Sequence, residues 1–72
     1  MIHNQITSSS IKSAGFDPKT GEMEVEFQTG RKYRYQNVPQ GTYDSFVNAK
    51  SQGKFFGSEI RPLFKFEKAE DD

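Results

Sequence analysis

Residues 22–36 carry the clearest alternation of apolar and polar side chains in the chain. The first half alternates glutamates with apolar residues, and the second half alternates basic residues with tyrosines. A period of two residues is typical of a half-buried strand. Because Thr29-Gly30 separates the two halves, the segment predicts a β-hairpin.

The pairing register of this hairpin follows from its side chains. A two-residue loop would place Phe27 opposite Lys32 and mix apolar with charged residues on both faces. A three-residue loop, with Gly30 in the left-handed conformation, pairs apolar residues with tyrosines and acidic residues with basic ones. Since opposed pairs of these kinds stabilise by about 0.2–1 kcal/mol each, we predict the three-residue loop. The resulting pairs are Val25–Tyr33 and Met23–Tyr35 on one face, and Glu26–Lys32 and Glu24–Arg34 on the other.

A first strand is predicted over residues 11–16, and turn residues at 17–21 lead from it into the hairpin. A five-residue loop sets Ile11 opposite Phe27, which suits an inward Ile11. The same register turns Phe16 outward, which leaves open whether the strand contains a bulge.

One amphipathic helix is predicted after the hairpin. Pro39 suits a first helical turn, and Gly53 suits a C-terminal stop. Between them, four side chains fall at positions i, i+3, i+4 and i+7, the spacing of one helical face. They are Tyr43, Phe46, Val47 and Lys50.

The elements after the helix are short. Residues 54–57 are expected to form a loop that its aromatic side chains hold to the core. Residues 58–61 suit a helical turn capped by Ser58, and residues 63–66 suit a last strand.

These elements predict an α+β fold with the order β-β-β-α-β, in which one amphipathic helix packs on one face of a small antiparallel sheet. The domain is expected to span residues 8–66. Residues 1–7 are interpreted as a flexible lead and residues 67–72 as an acidic, disordered tail.

Composition bounds the size and kind of this domain. A chain of 72 residues buries only about 60% of its unfolded surface, so its seven Phe and three Tyr must supply much of the core. The chain has no cysteine, which excludes disulfides and thiolate metal sites. No apolar run approaches the roughly 20 residues of a membrane span. We therefore expect a cytoplasmic protein with no membrane partner.

Charge is zero overall but unevenly distributed. Residues 30–65 carry seven basic and two acidic side chains, a balance of +5, whereas residues 1–29 carry −2 and residues 66–72 carry −3. A basic centre can hold a polyanion. The alternative is ordinary solvated surface, with Lys32 and Arg34 neutralised by the glutamates across the hairpin.

An ordered string of residues resembles a known family. It comprises Ser9-Ser10-Ile11, Gly15-Phe16-Asp17, Glu26-Phe27, Gly30, Tyr33-Arg34-Tyr35, Val38-Pro39, Tyr43, Phe46, Ala49, Ser51, Gly53, Phe55-Phe56 and Ile60-Arg61. Across residues 6–66 this order and spacing resemble the KTSC domain, a bacterial and phage module named for the C-terminus of some lysyl-tRNA synthetases. The resemblance implies a small α+β domain that occurs alone or joined to a tRNA enzyme, and by association it suggests RNA as a partner. Phe16, Phe55 and Gly57 depart from the family by removing polar groups.

Residue patterns for catalysis are weak. His3 is the only histidine, the serines at 8–10 have no partner base, and the glutamates of the hairpin face basic side chains. We expect no enzyme activity, no cofactor and no metal site.

A binding module is the preferred interpretation. RNA, either tRNA or single-stranded, would be held through phosphates by a basic surface, with aromatic side chains assisting. Tyr33 and Tyr35 are expected in or at the edge of the core, and the acidic tail would compete with the ligand. The candidate binding residues are Arg34, Tyr35, Lys50, Lys54, Arg61, Ser9 and Ser10.

The alternative is a module for homodimerisation or for docking on a larger protein. It rests on four phenylalanines that one short helix cannot easily cover, which an interface would bury. They are Phe16, Phe55, Phe64 and Phe66.

Overall fold

The structure is a computed structural model that describes residues 3–6 and 8–69. Five antiparallel strands form one sheet in chain order, and two helices lie between the fourth and fifth strands. The strands are β1 (His3–Gln5), β2 (Ile11–Asp17), β3 (Glu22–Phe27), β4 (Lys32–Tyr35) and β5 (Phe66–Lys68). The helices are α1 (Gln40–Val47) and α2 (Gln52–Phe55), and α2 continues as a π-helical segment, Phe56–Ile60. The predicted α+β class is confirmed.

The central hairpin has the predicted register. Its four observed pairs are Met23–Tyr35, Glu24–Arg34, Val25–Tyr33 and Glu26–Lys32. Gly30 adopts a φ of +94°, and its N–H donates to Phe27 O at 2.9 Å. The three-residue loop with a left-handed glycine is therefore confirmed.

The first long strand, β2, contains a bulge, which answers the question that its pattern leaves open. Ile11 lies opposite Phe27 as predicted, but the register shifts before Ser13. Phe16 consequently faces Met23 and points inward, where its ring stacks on Tyr43 with centroids 4.9 Å apart.

The sheet has one strand more than the sequence predicts. His3–Gln5 pairs with β2, in a segment interpreted as a lead without regular structure. The last strand occupies Phe66–Lys68 rather than residues 63–66 and pairs with β4. The chain remains in a turn through Phe64, because the Leu63 and Phe64 amides both bond back to Ile60 O. Residues 70–72 of the predicted tail lie outside the described residues.

The helical region also differs from the prediction. Helix α1 ends at Val47 with Asn48 as its C-cap, so Lys50 lies beyond it. Gly53 lies inside α2 rather than ending a helix, and Ser51 caps α2 by accepting from Lys54 N at 3.4 Å. Residues 54–57 are therefore helical rather than a loop, and Ser58 is not a cap.

Both helices pack against one face of the sheet, here called the inner face. The largest fully buried side chains come from both layers: Ile11, Met23 and Val25 from the sheet, and Phe46 and Ile60 from the helical region. The glutamates of β3 alternate with these residues and so lie on the opposite, outer face. None of the described helices has the length and apolar character needed to cross a bilayer.

Candidate functional site

A serine turn, Ser8-Ser9-Ser10, leads into β2 and lies against α2. Ser8 Oγ accepts from the backbone N–H groups of Ser10 (3.2 Å) and Ile11 (3.4 Å), which holds the turn tight. A Cβ added to Gly53 would lie 3.0 Å from Ser8 Oγ and 3.6 Å from Ser10 Oγ. The absence of a side chain at position 53 therefore lets the turn and the helix approach closely.

A cleft of about 460 Å³ lies between the serine turn and the start of α2. We call it the basic cleft. The lysines and the serines at 9 and 10 that line it are exposed, and no described acidic side chain lines it. Its lining residues are Ser8, Ser9, Ser10, Lys50, Ser51, Gln52, Gly53 and Lys54. Ammonium and hydroxyl groups that face one cleft without a carboxylate suit an anionic ligand.

A second depression, here called the aromatic groove, adjoins the basic cleft through Ser10 and Gly53, which line both. It consists of one hollow of about 310 Å³ that Arg61 lines and another of about 440 Å³ that Arg31 lines. The groove is lined by the aromatic side chains Phe27, Tyr33, Tyr35, Phe56 and Phe66. Phe27 and Tyr33 belong to both hollows, so the groove is continuous.

The rings of the groove differ in exposure. Tyr35 is buried (3% exposed), whereas Phe66 is 54% exposed. Burial raises the pKa of the Tyr35 phenol, although the positive charge of nearby Arg61 opposes that rise. Tyr35 therefore belongs to the core at the edge of the groove, as the hairpin register predicts.

Arg34 lies apart from these residues. Its partner in the hairpin is Glu24, on the outer face, and Arg34 Nη2 donates to Glu24 Oε2 at 3.2 Å. His3 Nε2 donates to the other oxygen of the same carboxylate at 2.5 Å. Burial alone would raise the pKa of Glu24, but the hydrogen bonds from His3 and Arg34 outweigh it and hold that pKa below its usual value.

The structure thus brings together four of the seven candidate residues, places two beside them and separates one. Ser9, Ser10, Lys50 and Lys54 line the basic cleft. Tyr35 and Arg61 line the aromatic groove. Arg34 is held by an ion pair on the other face of the sheet.

Arg31, Phe27 and Gly53 are among the contributors to this surface that sequence reasoning missed. Arg31 and Phe27 are neighbours across the hairpin loop, because Phe27 N donates to Arg31 O at 2.9 Å. The alternating pattern assigned Phe27 to the core and gave no sign that its ring reaches a groove. Gly53 contributes by its lack of a side chain, for which the sequence holds no separate signal. Among residues 3–6 and 8–69, no group of three or more acidic or histidine side chains is placed to hold a metal ion.

Comparisons with known proteins agree on one family. A sequence model of the KTSC domain matches residues 7–64. The crystal structure of a KTSC domain protein from Yersinia pestis superposes with a TM-score of 0.92 at 32% identity, covering 96% of this chain and 97% of that chain.

Relatives by sequence include both short and long proteins. An uncharacterized protein of Stutzerimonas stutzeri is 39% identical over 57 residues, which cover 79% of this chain and 80% of the relative. The lysine–tRNA ligase of Nostoc punctiforme is 37% identical over 59 residues, which cover 82% of this chain but only 10% of the ligase.

Proposed function

This chain belongs to the KTSC domain family, and we propose that it is a non-catalytic module that binds RNA through the basic cleft. The observation that carries the proposal is the shared position of Lys50 and Lys54 in one cleft with the serine turn. Both lysines are exposed and can reach phosphates, which dominate the affinity of nucleic-acid complexes.

The surroundings of the cleft strengthen the electrostatic argument. Arg61 lies in the adjoining groove and adds a third cation to the same side of the molecule. In the described part of the chain, the two ion pairs both involve Glu24, on the outer face. The cations of the cleft are thus available to a ligand, and a polyanion is the ligand class that their charge favours.

The ligase relative adds support of a weaker kind. Its name assigns it lysine and tRNA as substrates, and a segment similar to this chain forms about a tenth of it. A domain that accompanies a tRNA enzyme suits a role in holding RNA, which is an argument by association.

The experiment is a fluorescence-polarisation titration with labelled tRNA and with a labelled single-stranded RNA at low salt. We expect saturable binding that weakens about tenfold or more when Lys50→Ala is combined with Lys54→Ala. The matched control combines Lys19→Ala with Lys65→Ala, which removes the same charge from exposed positions. Lys19 lies in the turn after β2 and Lys65 precedes β5, at the end of the sheet far from the serine turn.

The control variant is expected to bind as the wild type does. Equal weakening in both double variants would mean that net charge, rather than the cleft, drives binding. Absence of binding by the wild type at low salt would refute the proposed function.

The protein-interaction alternative has narrower support. Of its four phenylalanines, Phe16, Phe55 and Phe64 pack against the core as partly buried residues. The exposed apolar surface centres on Phe66 and on Leu63, which is 65% exposed. Sedimentation over the concentration range of the titration tests this alternative, since a dimer would sediment faster as concentration rises.

A further inference from the structure

We infer that the aromatic groove is a stacking site for the bases of single-stranded RNA, so that unpaired rather than duplex RNA is the ligand class of this module. The inference rests on the proposed function and deepens it by assigning a task to the groove beside the basic cleft. It follows from the ring geometry, the charges around the groove and its size.

Three rings of the groove form a connected row, in which Phe27 and Tyr33 are half-buried and Phe66 is exposed. Tyr33 lies between Phe27 (centroids 5.6 Å apart) and Phe66 (5.3 Å), and the interplanar angles are 71° and 87°. Rings this close to perpendicular do not stack on one another. Phe66, on the edge strand β5, is more than half exposed, so it has apolar ring surface for a planar ligand group. Bases stack on aromatic side chains with little regard to sequence, because every base has a π-face.

The charges around the groove favour a polyanion as its ligand. Arg31 and Arg61 line its two hollows, and Lys68 lies opposite Tyr33 in the pairing of β4 with β5. No described carboxylate lines either hollow. A second copy of this chain would bring the same cations face to face, and a neutral apolar peptide would leave them without partners. A polynucleotide pairs the cations with phosphates while its bases cover the rings.

The size and continuity of the groove favour single strands. The hollow that Arg61 lines has a volume of about 310 Å³, which lies at the lower end of the roughly 300–1,000 Å³ that ligand pockets span. It can admit a planar ring but not a helix. A duplex keeps its bases stacked inside, whereas unpaired bases can be turned out onto aromatic side chains. The join at Ser10 and Gly53 gives one strand a continuous path from the groove to the lysines.

The first experiment compares three labelled ligands of equal length: a single-stranded RNA, the same strand with abasic ribose residues, and a duplex RNA. The single strand is expected to bind most tightly. Phe66→Ala should weaken its binding by roughly five- to a hundred-fold, the range that stacking contacts show. Phe66→Tyr keeps the ring and should bind as the wild type does. The control is Leu63→Ala, which removes another exposed apolar side chain (65% exposed, against 54% for Phe66) that does not line the groove.

Salt dependence separates the groove from the cleft. Because Phe66→Ala leaves the phosphate contacts in place, its slope of log Kobs against log[salt] should match that of the wild type. The Lys50→Ala, Lys54→Ala variant should show a shallower slope. The two sets of residues would then act on different parts of the same ligand.

A second measurement uses the wild-type protein, so a folding defect in a variant cannot decide the matter. A single-stranded RNA carrying 2-aminopurine should lose fluorescence on binding if that base stacks on the rings. Unquenched fluorescence in a saturated complex would overturn the inference, as would equal affinity for the abasic strand or for the duplex. In each of those cases salt-dependent RNA binding would still stand. If Phe66→Ala instead abolished a dimer and left RNA affinity unchanged, the groove would be a protein interface and the inference would be wrong.

Discussion

Replacement of Glu24 by Gln tests the contact that ties the first strand to the middle of the sheet. The Glu24 carboxylate accepts a hydrogen bond from His3 of β1 on one oxygen and from Arg34 of β4 on the other. Glutamine has the same shape but carries one oxygen and one NH2 group. The NH2 group would face either the Arg34 guanidinium, which is a donor, or His3 Nε2, which could accept from it only in the other tautomer. In either arrangement the negative charge would be lost from both contacts.

The expected loss of stability depends on how exposed the hydrogen-bonding partners are. Hydrogen bonds to charged groups contribute about 1.5–3 kcal/mol when well buried, and exposed ion pairs about 0.2–1 kcal/mol. The Glu24 side chain is 14% exposed, but that of Arg34 is 36% exposed, so solvent screening reduces its share. We expect Glu24→Gln to lower the free energy of unfolding by about 1–2 kcal/mol. That is a large part of the roughly 4–11 kcal/mol expected of a domain this size at 0.05–0.15 kcal/mol per residue.

The pH dependence of this difference has a definite sign. The pKa of Glu24 is lower in the folded protein than its ordinary value, so folding favours the ionised form. The stabilisation is complete above the unfolded pKa of about 4.3 and is lost as the pH falls through the folded value. The stability difference between wild type and variant should therefore be full at neutral pH and shrink below about pH 4.

Urea unfolding followed by circular dichroism measures this difference. With a slope near 1 kcal/mol per M, the midpoint of the variant should lie about 1–2 M lower at neutral pH. The midpoints should converge when the titration is repeated towards about pH 2.5. Equal midpoints at neutral pH, or a gap that does not change with pH, would refute the argument for the carboxylate contacts.

Three further predictions concern the cleft and the core. If four cations of the cleft and groove contact the phosphates of a single strand, the slope of log Kobs against log[salt] should be about −2.8 for the wild type. Combining Lys50→Ala with Lys54→Ala should bring that slope to about −1.4. An unchanged slope would show that neither lysine contacts phosphate. Gly53→Ala gains up to about 1 kcal/mol of helix propensity but places a Cβ 3.0 Å from Ser8 Oγ. Urea unfolding should therefore show the substitution to be neutral or destabilising in the wild-type background and stabilising in a Ser8→Ala background. The same effect in both backgrounds would rule out the steric contact. Phe46→Ala empties a fully buried site and should lower the free energy of unfolding by about 3–5 kcal/mol. Circular dichroism should then show that much of the domain is unfolded. A melting curve close to that of the wild type would contradict the central place of Phe46 in the core.

The central hairpin could be predicted in detail because the information that sets it is local. Opposite charges across one pair of positions and apolar side chains across the next make a single register favourable, and a slip by one residue would reverse every side chain. Gly30 lies where the loop needs a positive φ, which an alternating pattern and one glycine suffice to indicate. The family resemblance was equally readable, because it depends on the order and spacing of residues, and it is confirmed.

Elements whose stability depends on distant partners could not be predicted in this way. The segment His3–Gln5 has no strand pattern of its own, and its order depends on pairing with β2 and on the contact of His3 with Glu24. Helix α1 stops at Val47 although the helical spacing of Tyr43, Phe46 and Val47 extends to Lys50 in the sequence. The chain then turns so that Ser51 can cap a second helix.

The candidate binding surface shows the same division. The sequence alone determined the fold class, the hairpin and which cations were in excess, since these follow from local alternation, turn residues and charge count. The packing of the folded chain places Lys50 and Lys54 in one cleft with serines some forty residues earlier in the sequence, and it leaves Arg34 held by Glu24 on the other face. Contacts between distant parts of the chain set which charges meet, and Gly53 favours one such contact, because a Cβ there would lie only 3.0 Å from Ser8 Oγ.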